Sequence, residues 1–192
     1  MKLKLTPLFL TIALIFFFFS SNAICKEQKK MNELKLGTHA IVINNNAEGE
    51  EDDELSGFMF SYQRNISEYV ALRGGLYIDE HDDDSKLEAS GIESQILLGN
   101  NFTGKGFYGY GGLGFFSETW EYDDTDIDFD FSGFLVSAGI GYRWEAVVLD
   151  FIINLRDPGD YEDKINEILG SYYQDSIDVI AASGSLSIGI RF

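Results

Sequence analysis

The sequence has very few of the residues that cross-link a chain or interrupt strands. It contains one cysteine, Cys25, and two prolines, Pro7 and Pro158, in 192 residues. A single thiol cannot form a disulfide within the chain, so a disulfide-stabilised scaffold is excluded. Proline cannot donate to a strand ladder, and Pro158 lies in an acid-rich segment. The segments between residue 31 and Pro158 are therefore free of proline and can form long strands.

Basic residues and histidine are also scarce. The chain has 14 Lys and Arg against 32 Asp and Glu, which gives a formal net charge of −18. A surface this acidic repels phosphate backbones, so nucleic acid is excluded as a partner. The two histidines, His39 and His81, are the only imidazoles available for acid–base chemistry.

Only one long apolar run is present, at residues 8–19. Lys2 and Lys4 precede it, and the small polar segment 21–23 follows it. This pattern predicts a secretory signal peptide over residues 1–23, because the run is shorter than the roughly 20 residues that a membrane-spanning helix needs. Ile24 stands where a lipoprotein signal would have a small residue before Cys25. We expect cleavage near residue 23 and a single domain over residues 24–192.

The acidic residues are concentrated in four places. Segments 48–54, 79–84, 118–130 and 157–178 contain 25 of the 32 acids. The intervening segments have almost none. Four acidic loops on a scaffold of different composition are expected.

The scaffold segments alternate apolar residues with polar residues or glycine, which is the period of β-strands with two different faces. In the last segment Leu186, Ile188 and Ile190 alternate with Ser187, Gly189 and Arg191. Eight strands are predicted, at residues 33–44, 56–64, 68–79, 87–99, 106–119, 131–143, 146–155 and 179–192. Long acidic connections alternate with short ones. The pattern predicts an all-β fold, an eight-stranded antiparallel up-and-down transmembrane β-barrel.

The polar face must line the interior of this barrel. It contains Gln63, Arg73, Glu93, Arg143 and Asp150, which could not form a dry core. The apolar face is then the lipid-facing surface. A hairpin centred on residue 83 places Arg73 opposite Glu93, and we predict that the two form a structural ion pair in the lumen. Met59, Tyr69 and Tyr77 are expected beside them.

Two strands leave alternatives open, and one loop has helical spacing. In the fifth strand, Phe107, Leu113 and Phe115 compete with Tyr108, Tyr110 and Phe116 for the lipid face. In the sixth, Asp126, Asp128 and Asp130 share the parity of Phe134, so either the strand passes beyond the lipid near Ser132 or it contains a bulge. Residues 160–170 have helical spacing of Ile165, Ile168 and Leu169, which predicts a short capping helix.

The ending Leu186-Ser187-Ile188-Gly189-Ile190-Arg191-Phe192, together with the strand pattern, resembles the small outer-membrane barrel family typified by the membrane domain of OmpA and by OmpX. The resemblance covers the whole mature chain and implies a bacterial outer-membrane location, with extracellular loops and periplasmic termini. Ile188, Ile190 and Phe192 would be the C-terminal signal for the barrel-assembly machinery. Outer-membrane lipid and lipopolysaccharide are the other implied partners.

The expected function is that of a non-enzymatic barrel contributing to envelope integrity or surface interaction. One alternative is a lipid-A-modifying enzyme, which needs a Ser with a His and an acid in reach. Neither His39 nor His81 has the sequence context of such enzymes, so we predict no catalytic residue and no cofactor. The other alternative is a narrow pore, but eight strands leave an interior just wide enough for side chains.

The acidic loops could attract divalent cations, since carboxylates are the oxygen ligands that hard cations take. Asp124, Asp126 and Asp128 are the candidates. Their segment resembles the start of an EF-hand loop but lacks its glycine and its late Glu. Specific calcium binding is not expected there. The loop acids are expected to be solvated and to keep the loops soluble by repulsion, with weak, diffuse cation binding or bridging to lipopolysaccharide as the alternative.

Overall fold

The computed structural model describes residues 31–45, 53–82, 86–122, 128–169 and 179–192. The predicted signal peptide, Cys25, most of the first acidic segment and the candidate ligands Asp124 and Asp126 lie outside the described residues.

The described residues form a closed antiparallel barrel in which each strand pairs with the next and β1 pairs with β8. This confirms the predicted eight-stranded barrel, with strand ends within three residues of those expected. The strands are β1 Asn32–Asn45, β2 Asp53–Asn65, β3 Val70–His81, β4 Leu87–Gly99, β5 Gly106–Tyr122, β6 Asp128–Arg143, β7 Val147–Arg156 and β8 Val179–Arg191.

The barrel has two different ends. The short connections 66–69, 100–105 and 144–146 lie together at what we call the turn end, where both β1 begins and β8 finishes. The strand ends that border the acidic segments lie at the opposite end, the loop end. Two of the connections expected to be long, 82–86 and 123–127, have only five residues each, because β3, β5 and β6 extend into the acidic segments. The asymmetry follows the up-and-down order of the strands.

The outer and inner faces of the barrel have opposite polarity. Large apolar side chains such as Phe58, Phe107 and Ile140 are 71%, 82% and 65% exposed, whereas Arg143 and Glu33 are 0% exposed. A water-soluble protein would bury the first set and expose the second. This inverted arrangement is that of a membrane-spanning barrel.

The outward apolar belt ends before the loop end of the strands. On β4 the outward residues change from Ile96 and Ile92 to Ser90 and Glu88, and on β6 from Phe134 to Ser132 and Asp130. Beyond this border the strands continue into polar surroundings.

The alternatives in β5 and β6 are resolved. Phe107, Leu113 and Phe115 face outward, and their neighbours Tyr108, Tyr110 and Phe116 face inward. The β5–β6 register runs without interruption from Gly106 opposite Arg143 to Glu121 opposite Asp128. The strand therefore has no bulge at Ser132, and the change of its outward face reflects a change of surroundings.

One helix, α1 (Gly159–Leu169), follows β7, which agrees with the capping helix predicted from residue spacing. Among the described residues no helix is both long and apolar enough to cross a membrane.

Candidate functional site

The lumen is filled with charged side chains, and the predicted Arg73–Glu93 pair is not among their contacts. Both residues are buried, but the β3–β4 register places Arg73 opposite Gln95 and Glu93 opposite Gly75. The predicted hairpin register was therefore wrong by two residues. Each of the two side chains finds a partner on β7 instead.

Asp150 on β7 organises the middle of the lumen. Its carboxylate accepts hydrogen bonds from the Arg73 guanidinium and from Lys35 Nζ, the latter at 3.1 Å. The hydroxyls of Tyr108 and Tyr110 also donate to it. Charge-assisted hydrogen bonds of this kind are the strong ones in proteins. The cluster ties β1, β3 and β5 to β7 across the barrel.

Glu33 has the same role near the turn end. Arg143 Nε donates to its Oε1 at 2.7 Å, and Arg191 Nε lies 3.4 Å from the same oxygen. Lys35 Nζ is 3.3 Å from Oε2. The Arg143 guanidinium also stacks on the Tyr108 ring, 3.3 Å from its centroid, a favourable cation–π contact.

Arg156 is the only Arg or Lys among the buried charges of the loop-end half, counted over the described residues. Its Nη1 donates to Glu118 Oε2 at 2.6 Å, and its Nη2 donates to Glu93 Oε1 at 2.9 Å. Tyr77 Oη donates to Glu118 at 2.5 Å and accepts from Arg156 at 3.2 Å. One guanidinium thus joins β4, β5 and β7.

His39 on β1 lies between two carboxylates in the same half. Its Nδ1 is 2.6 Å from Asp79 Oδ2, and its Nε2 is 3.8 Å from Glu93 Oε1. The ring packs on Tyr77 with centroids 4.3 Å apart. All four side chains are buried.

Interior glycines make these contacts possible. Gly57 lies between His39 and Asp79 in the cross-strand row, and a Cβ there would come within 2.8 Å of the Asp79 carboxylate. Gly91 lies in the same way between Tyr77 and Glu118. With no side chain between them, residues two strands apart can bond directly.

Both ends of the charged lumen are closed by apolar side chains. At the turn end Phe102 folds inward, is 0% exposed, and packs with Tyr108 and Tyr110. At the loop end Tyr161 of α1 stacks on Phe131 with centroids 4.7 Å apart. The charges therefore lie in a compartment sealed by aromatic residues at each end.

Helix α1 is held over the loop end by three successive residues. Asp160 accepts from the Ser132 amide at 2.8 Å, and Tyr161 Oη donates to Glu118 Oε1 at 2.5 Å. Glu162 accepts from the Val179 amide at 3.2 Å. Burial raises the pKa of the Tyr161 phenol, so its hydroxyl stays a donor at physiological pH.

The remaining predicted site residues lie on the surface. Asp128, the one described member of the candidate cation site, is exposed on β6. Within the described ranges no three His, Cys, Asp or Glu residues are grouped so as to hold a metal ion. Tyr69, expected in the lumen, is 62% exposed, because β3 begins only at Val70. Ile188, Ile190 and Phe192 point outward on or just after β8.

Sequence reasoning missed the partners that cross the barrel. Asp150 was placed on the interior face, but its pairing with Arg73 and Lys35 was not foreseen. Glu33, Lys35 and Arg156 were not singled out at all. Their signal was a charge at an inward position of a strand whose outward positions carry none.

Comparisons with known proteins support the fold. No protein-family model matches the chain, and no curated protein matches it. Among solved structures, it is similar to Ail, the attachment invasion locus protein of Yersinia pestis, with 13% identity, a TM-score of 0.50, and coverage of 86% of this chain and 100% of that one.

Two further barrels are similar over the same extent. Neisserial surface protein A has 11% identity and a TM-score of 0.57 and covers 84% of this chain and 97% of its own. The outer-membrane protein OprG from Pseudomonas aeruginosa has 14% identity and a TM-score of 0.52, with 86% and 97% covered. The chain therefore has the fold of the small eight-stranded outer-membrane β-barrels.

Proposed function

We propose that this protein is a non-enzymatic outer-membrane barrel that serves as a rigid, non-conducting anchor for an acidic platform at the cell surface. The observation that carries the proposal is the sealed, cross-linked lumen inside an outward apolar belt. A channel needs an aqueous path, and an enzyme needs substrate access to its reactive groups. An anchor needs neither.

The platform is the part of the barrel beyond the apolar belt. There the outward residues are acids such as Glu54, Glu88 and Asp130, while inward residues such as Ile43 and Trp120 pack in an apolar cluster. The polarity of the two faces is thus that of a soluble domain. It supports a role outside the lipid, in contact with water, lipopolysaccharide or another surface.

The location is tested by expressing the full chain in a Gram-negative host. We expect the protein in the outer-membrane fraction, with a change of gel mobility on heating that reports a folded barrel. In planar bilayers the purified protein should give no steady conductance. A soluble periplasmic monomer would contradict the location, and reproducible open channels would contradict the anchor function.

The platform is tested by neutralising its charge. Replacing Asp128 and Asp130 by Asn should weaken adhesion of expressing cells, or raise their sensitivity to a divalent-cation chelator, without loss of folded protein. Glu145→Gln is the matched control, because Glu145 is an exposed acid at the turn end. Equal behaviour of both variants would reduce the platform acids to a solubilising role. Ail is named the attachment invasion locus protein. A similar attachment activity of this chain is part of the proposal only.

The enzyme alternative concerns one feature of the lumen. His39 contacts Asp79 and lies opposite Ser185 in the β1–β8 register, a combination that a hydrolase could use. Ser185, His39 and Asp79 are all buried, so an acyl substrate could not reach them. We expect the lipid A mass spectrum to be the same for cells expressing the native chain and His39→Ala. A mass change present only with the native chain would support the enzyme.

A further inference from the structure

We propose that the sealed lumen contains a proton-binding site, in which His39 is held as an imidazolium between Asp79 and Glu93, so that the stability of the barrel depends on pH. His39 is a buried titratable group that the anchor function does not require.

Each ring nitrogen of His39 is directed at a carboxylate. Nδ1 is 2.6 Å from Asp79 Oδ2, within hydrogen-bond distance, whereas Nε2 lies 3.8 Å from Glu93 Oε1 and has no hydrogen-bond partner among the described residues. Carboxylate oxygens are acceptors, and a neutral imidazole carries a hydrogen on only one nitrogen. A neutral His39 would therefore direct a lone pair at one of the two carboxylates. Only the doubly protonated ring donates to Asp79 and also turns an N–H, rather than a lone pair, towards Glu93.

Asp79 has fewer hydrogen-bond partners than Glu93. Glu93 already accepts hydrogen bonds from Arg156, Gln95 and Ser183. Within the described residues His39 is the sole hydrogen-bond partner shown for Asp79, whose other oxygen has none. A buried carboxylate is costly unless it is paired. The charge on His39 supplies the pairing that Asp79 otherwise lacks.

Negative charge is in excess around His39. Over the described residues, the groups in this half of the lumen are Asp79 on β3, Glu93 on β4, Glu118 on β5 and Arg156 on β7, with the Tyr77 and Tyr161 hydroxyls. The three carboxylates outnumber the single guanidinium by two. The other buried cations of the lumen lie in the turn-end half, where they bond to Glu33, to Asp150 or to backbone oxygens. They are Lys35, Arg73, Arg143 and Arg191.

The linkage has a definite sign. An unperturbed histidine titrates at about pH 6.5. Above that pH the unfolded chain has released a proton that His39 keeps in the native barrel. Stability then falls as pH rises, by up to about tenfold in the unfolding equilibrium constant per pH unit. The contribution is fully present below about pH 6 and is lost towards alkaline pH.

Nuclear magnetic resonance of the native barrel tests the protonation state without altering the core. The chain has only two histidines, so His81→Gln assigns the imidazole signals in detergent micelles. We expect the His39 nitrogens to have imidazolium shifts at pH 7.5. A neutral His39 tautomer at that pH would overturn the proposal.

Unfolding in denaturant between pH 6 and pH 8 tests the linkage. His39→Gln and Asp79→Asn should each destabilise the barrel more at pH 6 than at pH 8, and the double variant should not differ further in its pH slope. The same comparison in a His81→Gln background removes the other histidine, whose Nε2 lies 3.4 Å from Asp53 Oδ1, and the effect of Asp79→Asn on the pH slope should persist there. Parallel pH profiles for the native chain and Asp79→Asn would contradict the linkage, whatever the result for membrane location or conductance.

Discussion

At the scale of single residues, the lumen is built from large polar side chains that lie over glycine. Gly139 and Gly141 are each covered by a tyrosine ring, and a Cβ at either position would lie within 2.5 Å of Tyr110 or Tyr108 ring or hydroxyl atoms. The tyrosines thereby extend along the wall towards Asp150. A narrow barrel can hold so many long side chains because small residues alternate with them around each layer.

Gly91→Ala tests this packing. The new Cβ would lie 2.4 Å from Tyr77 Cζ, so the ring must move and its bond to Glu118 must weaken. Overpacking of this kind costs about 1–3 kcal/mol, which denaturant unfolding in detergent would measure. Gly74→Ala is the control, because its Cβ would meet only the Glu93 carbonyl oxygen, at 3.9 Å. Equal stability of the two variants would argue against a steric requirement at Gly91.

Which residues point inward could be read from the sequence, but which of them pair could not. Alternation assigned Arg73, Glu93 and Asp150 to the polar face, and all three are buried. The Arg73–Glu93 pairing failed because hairpin register depends on how the loop is closed, and composition does not specify that. The Arg73–Asp150 contact crosses the lumen between strands that are not neighbours, so strand pairing alone gives no signal for it.

At the scale of elements, α1 and the β5–β6 hairpin form one unit at the loop end. Residue spacing predicted the helix, and its inward residue Tyr161 packs against Phe116 and Phe131 of these strands. Residue spacing did not indicate that Tyr161 would reach Glu118 inside the barrel. That contact depends on how the chain turns after β7, at Asp157 and Pro158.

Tyr161→Phe tests how the helix is held. The variant keeps the ring stacking but removes the hydroxyl that bonds to Glu118 and Arg156, leaving two buried charged groups with fewer partners. We expect a loss of about 1–3 kcal/mol and faster amide exchange in residues 160–164, with the β1–β4 amides unchanged. Tyr69→Phe, at an exposed tyrosine, should change neither quantity. Native exchange rates in Tyr161→Phe would show that stacking alone holds α1.

At the scale of the whole molecule, the sequence determined the architecture because the same alternation recurs in all eight strands. The register error in the predicted β3–β4 hairpin did not affect the predicted architecture, because each strand still has one apolar face and one polar face. The outward belt and the inward charges are two results of a single pattern. The extent of the apolar belt along the barrel is marked only by the positions at which outward residues change to serine or to an acid.

A charged substitution on the belt tests whether lipid surrounds it. Leu76 and Glu80 both point outward on β3, Leu76 within the belt and Glu80 beyond its border. In bilayers, Leu76→Arg should cost about 2–4 kcal/mol, and Glu80→Arg at most about 1 kcal/mol, because the cost of a cation decreases from the bilayer midplane to the interface. Reversible unfolding in lipid vesicles measures both. Since each variant adds one Arg to the outer face of the same strand, a difference between them reports depth in the membrane. Similar small costs would mean that water contacts the belt, and the outer-membrane location would then be wrong.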